Sequence, residues 1–288
     1  MAEIVVRPRG PYSLALSTRL SGDATRRVHE GVMTACCGGA VARAWQRPDG
    51  TVTILSESAE AAEKLRWVLA LDDDHSEFLR LVADDPLLGR AAKHLRGLRP
   101  VRTATVAHAL LRAVCGQLID AKTARRLERR VIRALQTREQ DGTVAATDLA
   151  EPPKTPTFAA ISPVTLRRLG LHERRGATLV RLCRSLELER LHDLPTDAVV
   201  RRIERERGLG RWSAGVVCLE GLGRFEHGLV GDLGLIKLVR ALRGRRAVET
   251  WETAELLEPY GEWGGLASVY LLMGFNRGLI PLPAARAA

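Results

Sequence analysis

At 288 residues the chain exceeds the roughly 100–200 residues of a typical domain, so two or three packed units are expected. Hydrophobic residues make up 45% and charged residues 27%, which excludes a disordered chain. Lys and Arg number 44 against 34 Asp and Glu, a net charge of +10, and only Lys64, Lys93, Lys122, Lys154 and Lys237 are lysines. The arginine excess has two readings: a polyanionic partner, nucleic acid ahead of an anionic membrane surface, or an arginine-rich genome.

No apolar run reaches the about 18 residues of a membrane span, and Glu3 and Arg7 interrupt any secretory signal. Cys36, Cys37, Cys115, Cys183 and Cys218 contain no C-x2-C pair. That spacing excludes a cysteine-ligated zinc or iron–sulfur site and predicts buried, reduced thiols. The histidines show no H-E-x-x-H spacing, which excludes a zincin.

Residues 1–75 read as α+β. Strands are predicted at Ile4–Arg7 and Tyr12–Leu20, and at Ala40–Gln46 and Thr51–Leu55 around the turn Arg47-Pro48-Asp49-Gly50. Ser58 precedes a helix predicted over Ala59–Leu71, with Ala62, Leu65, Val68 and Leu69 on its apolar side. The block is expected to be a small antiparallel sheet with a helix across one face.

From residue 76 the pattern turns helical. Helices are predicted at Ser76–Ala83, Leu87–Leu95, Thr105–Leu118 and Ala121–Leu135, the last with an arginine-rich face that includes Arg125, Arg126, Arg129 and Arg130. After the proline-rich loop 151–156 come Thr157–Ile161, Pro163–Leu169, Arg174–Leu186 and Asp197–Glu206.

The most informative segment is Glu206-Arg207-Gly208-Leu209-Gly210-Arg211-Trp212-Ser213-Ala214. Two glycines one residue apart join two helices through a turn tight enough to favour residues without a Cβ. Backbone N–H groups at the start of the second helix suit an anion, and Arg207 and Arg211 flank them. An ordinary glycine-containing helix–helix turn fits the same letters. Twenty residues after Trp212, Asp232 stands in Val230-Gly231-Asp232-Leu233-Gly234-Leu235, where it also fits a helix N-cap.

This order resembles the helix-hairpin-helix DNA glycosylases of base-excision repair, and within them the AlkA-type DNA-3-methyladenine glycosylase II family. The resemblance covers nearly the whole chain. Residues 1–78 are similar to the family's TATA-binding-protein-like α+β domain. The segment Cys115-Gly116-Gln117-Leu118-Ile119 looks like its Gly-Gln loop. The fold implied is mainly α with an N-terminal α+β domain. Residues 105–224 would form a helical domain holding the hairpin, and 79–104 with 225–288 a second one holding Asp232.

The site residues follow from the resemblance. Asp232 would stabilise positive charge on the deoxyribose as the N-glycosidic bond breaks, and would orient water. Trp212 stands where bifunctional members of the superfamily place a Schiff-base lysine, which implies base removal without strand cleavage; a core aromatic is the other reading. Leu118 falls at the wedge that fills the space of a flipped base, or is a core leucine. Gln117 contacts the orphaned base or caps the turn. Arg207, Gly208, Gly210 and Arg211 would grip phosphate. The pocket would include Trp212, Val216, Leu272 and Tyr270. Val216 and Leu272 replace two family aromatics, which puts the cation–π recognition of alkylated bases in question. Trp263 and Phe275 are further candidates for rebuilding that cleft.

The implied function is a monofunctional DNA glycosylase acting on an alkylated or deaminated purine. The alternative is a non-catalytic lesion-binding or architectural helix-hairpin-helix protein. The implied partner is double-stranded DNA containing a damaged base, with no membrane, a monomeric state and a cytoplasmic, nucleoid-associated location. No organic cofactor or metal is implied, although the hairpin carbonyls of the family admit a monovalent cation.

Overall fold

A computed structural model describes residues 1–19, 21–139, 148–244 and 247–283. The fold is mainly α with an N-terminal α+β unit. Strands β1 (Ala2–Val6), β2 (Arg26–His29), β3 (Val32–Cys37), β4 (Ala40–Gln46) and β5 (Val52–Ser56) form one antiparallel sheet in the order β1-β5-β4-β3-β2. Register follows burial: Ala44 and Ile4 both pair with Ile54, a core residue between two strands. The turn at 47–50 closes as predicted, with Gly50 at φ +85° and Asp49 Oδ1 accepting from the Thr51 amide at 3.0 Å.

Helix α1 (Leu14–Thr18) replaces the strand predicted over Tyr12–Leu20, whose last residue lies outside the described ones. Ser13 Oγ accepts from the Leu16 amide and Thr18 Oγ1 donates to the Leu14 carbonyl, so local side-chain bonds outweigh the period-two pattern. Helix α2 (Ala59–Val68), capped by Ser58, lays Ala61, Ala62, Leu65 and Val68 on the sheet. Strands β2 and β3 carry no alternating β-branched signal, and pairing with β4 makes them strands.

The helical part comprises α3 (Ser76–Leu81), α4 (Gly89–His94), α5 (Val106–Gly116), α6 (Ala121–Glu139), α7 (Thr155–Ala159), α8 (Pro163–Arg168), α9 (Glu173–Ser185), α10 (Thr196–Glu204), α11 (Arg211–Val216), α12 (Leu233–Arg243), α13 (Glu252–Leu257) and α14 (Gly264–Asn276). None is long and apolar enough to cross a membrane among the described residues. One helical core gathers Leu110, Val131, Leu179, Ile203 and Val217; another gathers Phe78, Leu95, Leu235, Leu266 and Tyr270. Helix α5 runs between them, giving Leu110 and Leu111 to the first and Ala113 to the second.

A buried ionic knot ties the sheet unit to this helix. Arg112 of α5 bonds Asp23 at 2.7 Å and Glu128 of α6 at 2.9 Å, and also pairs with Glu220. His108 Nε2 lies 2.7 Å from Glu128, and Arg26 lies 3.0 Å from Asp23. Burial pushes both buried carboxyls up, but the surrounding guanidiniums and His108 more than offset it, leaving Glu128 at about 2 and Asp23 below its usual range.

Deleting one side of such a knot leaves buried charge uncompensated. Arg112→Ala is expected to cost about 3–5 kcal/mol in urea unfolding. The folded pKa values of Glu128 and Asp23 lie below their unfolded ones. Their contribution is therefore whole above the ordinary carboxylate range and is lost as pH falls from there toward 2. A pH series of melts should show that loss in the wild type and a flatter slope in Arg112→Ala.

Candidate active site

The hairpin forms because Gly208 adopts φ +95°, which a Cβ resists, while Leu209 between the glycines is buried in the first helical core. Gly210 caps α11 with open space where its Cβ would stand, so the backbone is accessible from outside. The loop is held from two sides. Thr178 Oγ1 of α9 donates to the Arg207 carbonyl at 2.9 Å, and Gln117 Nε2 donates to the Gly208 carbonyl at 2.7 Å. Arg207 and Arg211 are exposed. Glu206 is already occupied: hydrogen bonds from Arg202 and Arg181, opposed by burial, hold its carboxyl below the usual value.

Asp232 is the N-cap of α12, as its sequence context allowed. Its Oδ1 accepts from the amides of Gly234 at 2.7 Å and Leu235 at 3.3 Å. Its Oδ2 accepts from the Trp212 indole Nε1 at 2.9 Å. The carboxylate thus sits at the positive end of a helix with both oxygens engaged by donors, half-buried at the hairpin's edge. Two glycines make this approach fit. A Cβ on Gly234 would stand 2.5 Å from Leu272 Cδ2, and one on Gly116 would stand 2.6 Å from the Trp212 ring.

The remaining candidates separate. Helix α5 ends at Gly116, two residues earlier than predicted, and Leu118 takes φ +56° with 83% of its surface exposed. The core-leucine reading of Leu118 is therefore excluded. Gln117 faces the hairpin carbonyl and Ser213 Oγ, 3.2 Å away, so its amide braces the loop. Leu272 is half-buried against Gly234, beside Asp232. Val216 is buried in the second core. Tyr270 is a correction: it is fully buried, its hydroxyl lying 3.2 Å from the Leu95 and Leu98 carbonyls, and it packs on Phe78. Satisfying that hydroxyl fixes Tyr270 in the core. Trp263 stacks on Phe225 in the same aromatic cluster. Thr178 carries no functional signal in the sequence, and the contacts that Gly116, Ser213 and Gly234 make are visible only in the structure.

Asp23, His108 and Glu128 place ligand atoms within 4.8 Å of one another, the only such donor set among the described residues. The Arg112 guanidinium already bonds both carboxylates, so a cation there would meet a charge in place. A cavity of about 850 Å³ between the sheet and α6, lined by Cys36, Arg43, Gln136 and Glu151 among others, contains no candidate site residue.

No family model matches the chain. It is 26% identical over 209 residues to the DNA-3-methyladenine glycosylase of Bacillus subtilis, covering 70% of this chain and 67% of that protein. Among solved structures, the 3-methyladenine DNA-glycosylase of Archaeoglobus fulgidus superposes with a TM-score of 0.80 at 18% identity, over 96% of this chain and 99% of that one. The 8-oxoguanine glycosylase/lyase of Clostridium acetobutylicum gives 0.77 at 16%, over 94% and 95%. The fold is that of these structures.

The Gly116–Trp212 contact gives a direct check. In Gly116→Ala the new methyl group must displace the indole. A stability loss of about 1–3 kcal/mol and a change in tryptophan emission are expected. An unchanged melt and spectrum would show that the indole does not rest there.

Proposed function

We propose that this chain is a monofunctional DNA glycosylase of base-excision repair that hydrolyses the N-glycosidic bond of a damaged purine. The observation that carries this reading is the Asp232 carboxylate, held jointly by the first amides of α12 and the indole of Trp212. A carboxylate in that setting is ready to stabilise the oxocarbenium-like charge that develops at C1′ and the ring oxygen. It also orients the attacking water.

The exposed hairpin and the exposed Leu118 support an order of events. Exposed Arg207 and Arg211 with the hairpin backbone take a phosphate without reading sequence. Leu118, exposed at the tip of its loop, enters the stack as the target nucleotide turns out. Asp232 then meets the sugar. Trp212 offers no amine, so no Schiff base forms on the hairpin and the strand stays intact.

The substrate is an alkylated or deaminated purine. With Val216 and Tyr270 in the core, Leu272 supplies an aliphatic wall beside Asp232 and Trp212 the neighbouring aromatic surface. The partner is double-stranded DNA carrying the damaged base, met by a monomer where the nucleoid lies. The division into 1–78, 105–224, and 79–104 with 225–288 belongs to the same reading, and the three core clusters support it. A monovalent cation at the hairpin would compete with bonds already made: the Gly208 carbonyl accepts from Gln117 and that of Gly210 from the Ala214 amide. No step requires it.

Single-turnover release from duplexes each bearing one modified purine tests the proposal, with abasic sites revealed by alkali. Asp232→Asn is expected to slow release by roughly 100-fold or more while duplex binding persists. Full-rate release by Asp232→Asn would overturn the mechanism. Tight binding without release from any substrate would favour a lesion-binding protein. Trp212→Phe keeps the ring but removes the donor to Asp232; losing that charge-assisted bond should slow release roughly 10- to 100-fold. Borohydride is expected to trap no covalent adduct, and a trapped adduct would overturn the monofunctional assignment.

A further inference from the structure

The backbone that presents Asp232 is held by two buried hydroxyls from other helices. Ser268 of α14 accepts from the Leu229 amide at 3.0 Å and donates to the Gly264 carbonyl at 2.7 Å. Thr253 of α13, equally buried, accepts from the Gly231 amide at 2.8 Å. Between these two points the chain turns: the Asp232 amide donates to the Leu229 carbonyl at 3.0 Å, and Gly231 takes φ +86°.

The Thr253 hydroxyl has a fixed direction. Its single proton goes to the Thr250 carbonyl at 2.6 Å, three residues back. A hydroxyl bond to a carbonyl one turn earlier is common and by itself says nothing about function. Here it commits the proton, which leaves a lone pair facing the Gly231 amide, so the relay runs one way from Gly231 through Thr253 to Thr250. Thr250 closes the same spot from the side: its Cγ2 lies 2.8 Å from where a Cβ on Gly231 would stand. At the far end of α12, Arg243 pairs with Glu252 and Glu255, so α13 is tied to α12 on both sides of Thr253.

The effect reaches the carboxylate through one peptide unit. Gly231 directly precedes Asp232, whose side chain is shared between the first amides of α12 and the Trp212 indole. A displaced turn would move one end of that bridge, while the hairpin, braced separately by Thr178 and Gln117, holds the other. We propose that Thr253 is a positioning residue for glycosidic-bond hydrolysis, acting through Gly231 on where the Asp232 carboxylate stands. Thr253 has this role only if the glycosylase reading above holds.

Single-turnover release at saturating protein and affinity for an undamaged duplex are measured for wild type, Thr253→Val, Thr253→Ser and Thr103→Val. Valine keeps the shape and removes the acceptor, and serine keeps the acceptor. Thr103 is the control, an equally buried hydroxyl bonded to the Thr105 and Glu220 carbonyls. The indole N–H resonance of Trp212, identified by its loss in Trp212→Phe, reports the bond to Asp232 without requiring turnover. Thr253→Val is expected to slow release roughly 10- to 100-fold, as small displacements of a reacting group do, with duplex affinity unchanged and the indole resonance shifted. Thr253→Ser should recover most of the rate. Thr103→Val is expected to lower the melting temperature and to keep the wild-type rate and resonance. If Thr253→Val does not fold, Thr253→Ala, which puts no γ-methyl against the Gly231 amide, takes its place with the same expected result.

A wild-type rate in Thr253→Val would overturn the positioning role and leave the glycosylase reading intact. An equal loss of rate in Thr103→Val would also overturn it, by showing a general effect of destabilisation. A slowed rate with an unmoved indole resonance would overturn the route through Asp232. If wild type releases no base from any duplex, the glycosylase reading falls, and the role of Thr253 with it.

Discussion

The Asp232 carboxylate organises the rest of the candidate site because two distant segments meet on it. One oxygen terminates α12 and the other receives the indole N–H of Trp212, twenty residues earlier on the hairpin helix. A carboxylate held by three donors has little rotational freedom, so the hairpin and the start of α12 share one geometry. Gly234 and Gly116 exist in the service of that geometry. Each marks a place where a methyl group would separate parts that must touch.

Rigidity on the other side of the hairpin comes from α5. Its interior is pinned by the Arg112 knot to the sheet unit and to α6, and its last residues meet Trp212 and the hairpin carbonyl of Gly208. Leu118 is exposed in a left-handed conformation two residues beyond the end of that helix. That arrangement suits a proposed wedge: the tip is free to enter a stack while the base of the loop cannot recoil. The ionic knot contributes no chemistry of its own. Its worth lies in specificity of packing, since the same atoms unpaired would cost more than an apolar replacement.

The positive charge divides into two populations. Arginines locked onto acids, such as Arg112, Arg201 and Arg243, serve the fold and present little free field. Those without such partners include Arg207 and Arg211, exposed at the hairpin. Local density of uncompensated charge, rather than the net +10, is what a polyanion responds to at physiological screening lengths of about 8 Å.

Local chemistry made much of this legible in one dimension. The Gly-x-Gly turn, the N-cap character of Asp232, the turn at 47–50 and the cap of α2 all rest on interactions within a few residues. The strand expected at Tyr12–Leu20 failed because short-range hydroxyl bonds form α1, and β2 and β3 were silent because pairing rather than propensity makes them strands. What a side chain faces is a long-range property. Only the tertiary structure decided that Tyr270 belongs to the core, that Leu118 stands in solvent, that Gln117 braces the hairpin, and that Trp212 gives its proton donor to Asp232. Sequence determined which residues are candidates for the chemistry and which turns they form; packing determined which of them meet, because burial and hydrogen-bond satisfaction are settled between segments far apart in the chain.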